Sequence, residues 1–335
     1  MITLGIETSC DETAVAVLED ADHLRANLIA RQQHLHERFG GVVPEVAARA
    51  HVESLNPLID VALREASVGF ADLDGVAVTV GPGLVGALVV GMAAAKAAAL
   101  ATGLPFIGVN HLEGHVWANF LEHGPPEPPY VALIVSGGHT MIVHMPEVHR
   151  YEVLGETLDD AAGEAFDKIA RLLGLGFPGG PALDAISSEG DPNAIRFPRA
   201  MEDSDDLDFS MSGLKTAVLR HVRAEQAAGR EISVPDVAAS FQEAIVDVQV
   251  GKTLRAAQER DIATVLLGGG VVANTRLRRR MREAGDAAGI DVRYPSLDLC
   301  TDNAAMIAAA GASRLARGER SSLDIAADPN LRLAP

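Results

Sequence analysis

The chain has 335 residues, 48% of them hydrophobic and 22% charged, with a formal net charge of −18. That length suffices for two core-bearing domains, and the acidic balance excludes a general nucleic-acid coat, which needs Lys and Arg against phosphate. Two cysteines, Cys10 and Cys300, exclude a disulfide framework, so a reducing, cytoplasmic setting is expected.

In chain order, residues 2–7 and 13–18 are short apolar runs about the polar turn ETSCDE, and the alternation in TAVAVLE predicts a strand–turn–strand unit. The opening MITLGIETSCDET lacks a basic leader and reads as a strand, not a signal peptide. A helix is predicted near 45–66, a strand over 75–80, a GPG turn at 81–83 and a helix over 84–100. This last stretch is strongly apolar. Lys96 and two glycines interrupt it, and it is short for a span of about 20 residues, so a buried helix and no membrane association are expected. The strand PFIGV ends at Val109.

The strand–turn–strand shape returns at 131–144, where VALIV and MIVHM flank SGGHT. Helices are predicted around 160–173, 212–227 and 235–259, with a Gly/Pro turn, GFPGGP, after the first. The strand ATVLL runs into GGG and a helix beginning near Ala273, a last helix starts near Asp302, and the tail 318–335 reads as irregular. Strands alternating with helices imply α/β layering. The repeated opening suggests two related halves, parting near residue 110 or in GPPEPP at 124–129. The expected domains are 1–109 and 110–335, the second carrying most of the candidate metal and nucleotide residues.

His111 and His115 in NHLEGH form a His-x-x-x-His pair, a weak signal alone among 11 histidines. Asp302, at a helix start, offers two readings. It is a helix cap, or it is a third ligand beside the two imidazoles, a set that suits iron(II) or zinc. The order His-Leu-Glu-Gly-His departs from the His-Glu-x-x-His of zinc proteases, since Glu113 falls on another side of the helix from a zincin general base. Glu7, Asp11 and Glu12 crowd the first hairpin, where carboxylates raise one another's pKa or bind a cation. Nothing nearby in sequence activates Cys10, which reads as a small buried residue.

Two glycine-bearing turns, SGGHT and LLGGGVVANTRL, can aim backbone N–H groups at phosphate, with Asn274 placed to read a base edge or ribose. Asp167 lies in GEAFDKIARLLG, and GFPGGPALD adds Gly180 and Asp184, a carboxylate beside a glycine turn that suits ribose hydroxyls. RLRRRMR, at 276–282, is a local basic patch or a solvated helix face.

GIETSCDET, GGVVPEVAARAH, GPGLVGAL, NHLEGH, VSGGHT, GEAFDKIARLLGL, PGGP, DFSMSGLKTA, GGGVVAN and CTDNAAMIA occur in order from residue 5 to 309. Together they closely resemble the bacterial tRNA adenosine threonylcarbamoyltransferase family, TsaD. The resemblance implies a two-lobed fold of the actin, Hsp70 and sugar-kinase type, with duplicated RNase H-like domains. It implies transfer of the threonylcarbamoyl group from threonylcarbamoyl-AMP to the exocyclic amine of the adenosine 3′ to the anticodon, in tRNAs reading codons that begin with adenine, with release of AMP. Matched by position, it makes His111, His115 and Asp302 the ligands of one divalent metal, usually iron(II). It assigns the adenylate to Ile134, Val135, Ser136, Gly137, Gly138, Asp167, Gly180, Asp184 and Asn274, and a catalytic part to Asp11. It also implies two protein partners, the paralogue TsaB and the ATPase TsaE; the helix of 84–100 is either a candidate interface with the paralogue or plain core. A zinc metalloprotease and a non-catalytic nucleotide-binding scaffold are the competing expectations.

Overall fold

A computed structural model describes residues 1–20 and 22–333. Residues 1–127 carry β1 (Ile2–Glu7), β2 (Glu12–Glu19), β3 (His23–Arg31), α1 (Gln33–His36), α2 (Pro44–Glu65), β4 (Gly75–Gly81), α3 (Val85–Thr102), β5 (Phe106–Asn110), α4 (His111–Trp117) and α5 (Phe120–His123). Residues 128–294 carry β6 (Tyr130–Val135), β7 (Thr140–Glu147), β8 (Arg150–Glu156), α6 (Ala162–Leu172), α7 (Gly179–Ser187), α8 (Ser212–Ala227), α9 (Val234–Glu259), β9 (Thr264–Gly268), α10 (Thr275–Ala288) and β10 (Asp291–Arg293). The chain ends with α11 (Leu297–Cys300) and α12 (Ala304–Ala316). Residues 318–333 contain no helix or strand, as expected, and the last two residues of that expected tail lie outside the described residues.

Two compact units result. One joins Met1–Glu127 to Pro295–Pro335, and the other is Pro128–Tyr294. This differs from the expected division at 109/110. The reason is α12, whose small residues pack on β1, β2 and β4 and return the C-terminal segment to the first unit. All three expected metal ligands therefore lie in the first unit, and all the expected adenylate residues in the second.

The sheets share one plan. The first has the order β3-β2-β1-β4-β5 and the second β10-β9-β6-β7-β8. In each, three opening strands form an antiparallel meander, and the first of them pairs in parallel with a later strand that follows a helix. The duplication read from the repeated strand–turn–strand is thus a duplication of sheet topology.

Sequence pattern follows position in the sheet. The inner strands GVAVTVG and YVALIV are buried at every residue, as a run covered on both faces requires. Among the edge strands, β3 is mostly part-exposed and β8 mostly exposed, and both carry charges, which blunts their open edges. Neither was predicted, because their mixed composition lacks a clean alternation. The Gly/Pro turn expected before Asp184 is the start of a helix, α7, with Pro178 as its N-cap residue.

The helix α3 buries Ala87, Leu88, Gly91, Met92, Ala95 and Ala99, while Val85, Val89 and Leu100 are exposed. The expectation of a buried helix therefore holds for one face only. By length and composition it is the one helix among the described residues able to cross a membrane, and about a third of it is buried in the fold.

Close approach positions α12. A Cβ at Gly311 would lie 2.3 Å from the Ala77 Cβ on β4, and one at Gly5 would lie 2.5 Å from the Ala304 carbonyl oxygen. On its other side, a Cβ at Gly114 would meet the Ile307 side chain at 2.8 Å, so α4 also lies tight against α12. These glycines let the segment that carries Asp302 reach the helix that carries the histidine pair.

Candidate functional site

Asn110 ends β5 and starts α4: its side-chain oxygen accepts the Leu112 amide at 2.8 Å. The strand therefore turns directly into a helix whose first residue is His111 and whose fifth is His115, one turn apart on one face. Asp302 sits just before α12, and its Oδ1 lies 3.5 Å from His111 Nε2 and 3.4 Å from His115 Nε2. One donor atom from each of the three residues falls within 4.8 Å of the others.

The helix-cap reading of Asp302 is settled by its neighbour. Asn303 caps α12, its oxygen accepting the Met306 amide at 3.0 Å and its amide donating to Leu299 and Thr301. The Asp302 carboxylate is thereby left pointed at the imidazoles.

Charge and burial shape the group. Burial lowers His115 below the ordinary imidazole range; its buried Nδ1 has no hydrogen-bond partner, and its Nε2 faces only the Asp302 carboxylate at 3.4 Å. A buried imidazole so poorly partnered is costly, and a cation on Nε2 offsets that cost at the nitrogen facing Asp302. Burial would also lower His111, but Asp302 and Glu7 outweigh it and raise His111 to about 9. Two imidazoles and a carboxylate, all converging and one of them orphaned, fit a divalent ion.

Glu113 points elsewhere. It is fully buried and holds Arg314 of α12 through both carboxylate oxygens, at 2.9–3.2 Å. A zincin needs that carboxylate free beside the metal as a base. Here it clamps α4 to α12.

Asp11 lies in the turn between β1 and β2, where its carbonyl accepts the Gln32 amide at 3.1 Å. The turn rests on a buried polar network. His51 donates from Nε2 to the Cys10 carbonyl at 2.9 Å, and its Nδ1 lies 2.7 Å from the Thr13 hydroxyl. Burial, reinforced by Asp11 and Asp302, pushes the Cys10 thiol well up, so it is no thiolate nucleophile. Burial, then Asp302 and Asp11, likewise raises Glu12 well above the carboxylate range. The crowding read from ETSCDET is real and falls on Glu12.

In the second unit the turn Ser136–His139 links β6 to β7, closed by the Ser136 amide on the His139 carbonyl at 2.8 Å. Gly137, Gly138, Gly180 and Gly270 have open space where a Cβ would stand. Gly163, opening α6, lies so close to Ser136 and Gly137 that a side chain would clash at 2.7–3.0 Å. Asp167 accepts the Gly179 amide at 2.7 Å, fixing the start of α7 on α6. Asp184 of α7 holds Thr275, the first residue of α10, through its amide at 3.1 Å and its hydroxyl at 3.0 Å. Asn274 caps α10 by accepting the Leu277 amide at 2.9 Å, and donates to Gln242 at 2.7 Å.

The glycine turns and the starts of α6, α7 and α10 are thus tied together. Two expected contacts are displaced, however. Ile134 and Val135 are wholly buried strand residues, so only their main chain could face a ligand. Asp167, Asp184 and Asn274 act first as local braces. The basic run 276–282 is largely matched: Arg276 and Arg280 pair with Glu243 and Asp247 of α9, and Arg278 and Arg282 lie over the Tyr294 ring.

Sequence reasoning missed Thr79 and Arg314, and saw Glu7 only as part of a crowd. Glu7 is buried against His111 (Nδ1 to Oε2, 3.0 Å) and accepts the Thr79 hydroxyl at 2.5 Å. No local motif marks such partners, because they lie on β4 and α12, far along the chain.

The family model for TsaD, tRNA N6-adenosine threonylcarbamoyltransferase, matches residues 23–309. The chain belongs to the TsaD family. A tRNA N6-adenosine threonylcarbamoyltransferase of Clostridium botulinum is 52% identical over 330 residues, 98% of this chain and 97% of that protein. Solved structures extend the likeness to the fold alone. T. kodakarensis HypF superposes at a TM-score of 0.66 and 14% identity, covering 94% of this chain, which spans 48% of HypF. The activator of the 2-hydroxyisocaproyl-CoA dehydratase of Clostridium difficile, with bound ADPNP, superposes at 0.53 and 14% identity, over 96% of this chain and 99% of that one. The last comparison places the TsaD-family chain among folds of the actin-like type.

Proposed function

We propose that this chain transfers a threonylcarbamoyl group from threonylcarbamoyl-AMP to the N6 amine of the adenosine 3′ to the anticodon, in tRNAs reading codons that begin with adenine. The new bond joins N6 to the carbamoyl carbon. The bond from that carbon to the phosphate oxygen breaks, AMP leaves, and N6 gives up a proton. The observation that carries this reading is the convergence of His111, His115 and Asp302 in a TsaD-family chain whose Glu113 is committed to Arg314.

His111, His115 and Asp302 would hold the ion, with iron(II) preferred and zinc the alternative for a site of two imidazoles and a carboxylate. Such an ion supplies Lewis-acid polarisation of a coordinated oxygen when bound. The remaining work falls to the chain. The open glycines 137, 138, 180 and 270 let main-chain N–H groups approach a phosphate, with Ser136 beside them. Donors fixed in this way stabilise charge on the leaving phosphate without reorganising. Asp167, Asp184 and Asn274 keep the three helix starts in register, and Asp11 accepts or orients the N6 proton. An aromatic amine is a weak nucleophile, so holding it against the carbonyl contributes much of the rate.

Under this reading TsaB and TsaE are partners, and the exposed apolar side of α3 is the surface offered to the paralogue. In the 276–282 run Arg276 and Arg280 are matched by carboxylates of α9 while Arg278 and Arg282 keep their charge over Tyr294, and a partner surface supplies part of the tRNA grip. Mixing the protein with threonylcarbamoyl-AMP, TsaB, TsaE and unmodified tRNA, then analysing nucleosides by mass spectrometry, tests the proposal. Threonylcarbamoyladenosine should accumulate. Unmodified tRNA with the adenylate intact would sink it. The commitment of Glu113 to Arg314 disfavours the protease.

A further inference from the structure

We propose that Glu7 is a positioning residue of the metal centre, one that presents the Nε2 lone pair of His111 toward His115 and Asp302 and ties it to the turn that carries Asp11. The inference rests on the metal reading above and goes beyond it, since Glu7 is no ligand.

Glu7 is the last residue of β1 and is fully buried. Its Oε2 lies 3.0 Å from His111 Nδ1 and accepts the Thr79 hydroxyl at 2.5 Å. Its Oε1 accepts the backbone amide of Ser9. The Ser9 hydroxyl adds a second oxygen near Nδ1, at 3.2 Å. Both carboxylate oxygens thus face donors from three directions: β4, the β1–β2 turn and α4.

A neutral imidazole has one N–H and one lone pair. With an ion bound the imidazole is neutral, and a carboxylate against Nδ1 keeps the N–H there and the lone pair on Nε2, the nitrogen that faces Asp302 at 3.5 Å. A carboxylate behind a ligating histidine fixes ring and tautomer and makes the ligating nitrogen more basic. Thr79 and Ser9 hold the carboxylate in turn, so its direction is set by β4 and by the turn rather than by its own rotamer.

Glutamine cannot take over. Its amide has one acceptor oxygen, and two oxygen positions face donors. Turned one way, the NH2 opposes the Ser9 amide. Turned the other way, it donates to Nδ1 and moves the imidazole proton to Nε2, where it blocks the ion. In both cases His111 loses its anionic partner.

The test is Zn(II) affinity of the full-length chain, measured by chelator competition, with the His111 ring nitrogens followed by 15N NMR. The parent should bind one Zn(II) and keep a proton on Nδ1. Glu7→Gln, checked for native circular dichroism, should bind about 10–100-fold more weakly. Thr79→Val removes a Glu7 donor without touching His111, and keeps the question open if Glu7→Gln does not fold. Its affinity should fall severalfold. Zn(II) affinity within about threefold of the parent in a folded Glu7→Gln, or unchanged in Thr79→Val when only that variant folds, overturns the role given to Glu7. A parent chain that binds no Zn(II) overturns the metal reading itself, and this inference with it.

Discussion

Two adjacent residues divide the work at the start of α12. Asn303 caps the helix and Asp302 faces the imidazoles. The substitution Asp302→Ala should therefore abolish metal binding at little cost in stability, read by elemental analysis and thermal melting. Asn303→Ala should lower the melting temperature by an amount equivalent to about 1–2 kcal/mol, the usual worth of a lost cap. The opposite pattern would return Asp302 to a structural role. His51 offers a prediction in pH. Burial holds it below its ordinary value of 6.5, so the folded chain favours the neutral ring that donates to Cys10 and accepts from Thr13. A folded pKa below the unfolded one contributes stability fully above pH 6.5 and loses it as pH falls through the folded value. Between pH 7.5 and about 5.5 the parent should lose more melting temperature than His51→Gln. Equal losses would mean that His51 titrates alike in both states.

Two helices brought together by small residues and one buried ion pair make the metal group. Arg314 of α12 grips Glu113 of α4 through both oxygens, in the helix that bears His111 and His115. Removing the arginine leaves a buried carboxylate without its cation, and Arg314→Ala should destabilise by roughly 3–5 kcal/mol in urea unfolding. The double change Glu113→Leu with Arg314→Leu should recover much of that loss, because no buried charge is left unpaired: Glu319, the other partner of Arg314, is part-exposed and keeps Arg317 at 3.5 Å. Gly311 lies flat on β4, so Gly311→Ala must separate α12 from the sheet or strain it. Overpacking of this kind costs about 1–3 kcal/mol, and the same substitution should weaken metal binding by shifting Asp302.

The chain builds one sheet plan twice, yet the two units are not equivalent in covalent terms. Residues 128–294 form a contiguous unit, whereas the first unit needs residues 295–335 to complete its core. Ten of the thirteen residues of α12 are buried, most against β1, β2 and β4. A chain ending at residue 294 should therefore lose cooperative unfolding of the first unit and all metal binding, while the second unit keeps its own transition. A single native-like transition with metal retained would contradict this account of the core.

Local pattern carried far in this chain. The runs GVAVTV and VALIV named the inner strands, and glycines between strands named the turns. The in-order motifs named the family that the 52% identical relative then established. These features are local because a strand buried on both faces must be apolar along its length; glycine is required by positive φ at Gly81 and Gly83, whereas Gly137 and Gly138 have neither positive φ nor a close neighbour. The edge strands β3 and β8 stayed hidden, since half-exposed strands tolerate charge. The division of units, the cap at Asn303, the hold of Glu113 on Arg314 and of Glu7 on His111 were decided only by tertiary structure. Each joins residues more than a hundred positions apart, or turns on which of two neighbouring side chains faces inward, and one-dimensional spacing contains neither.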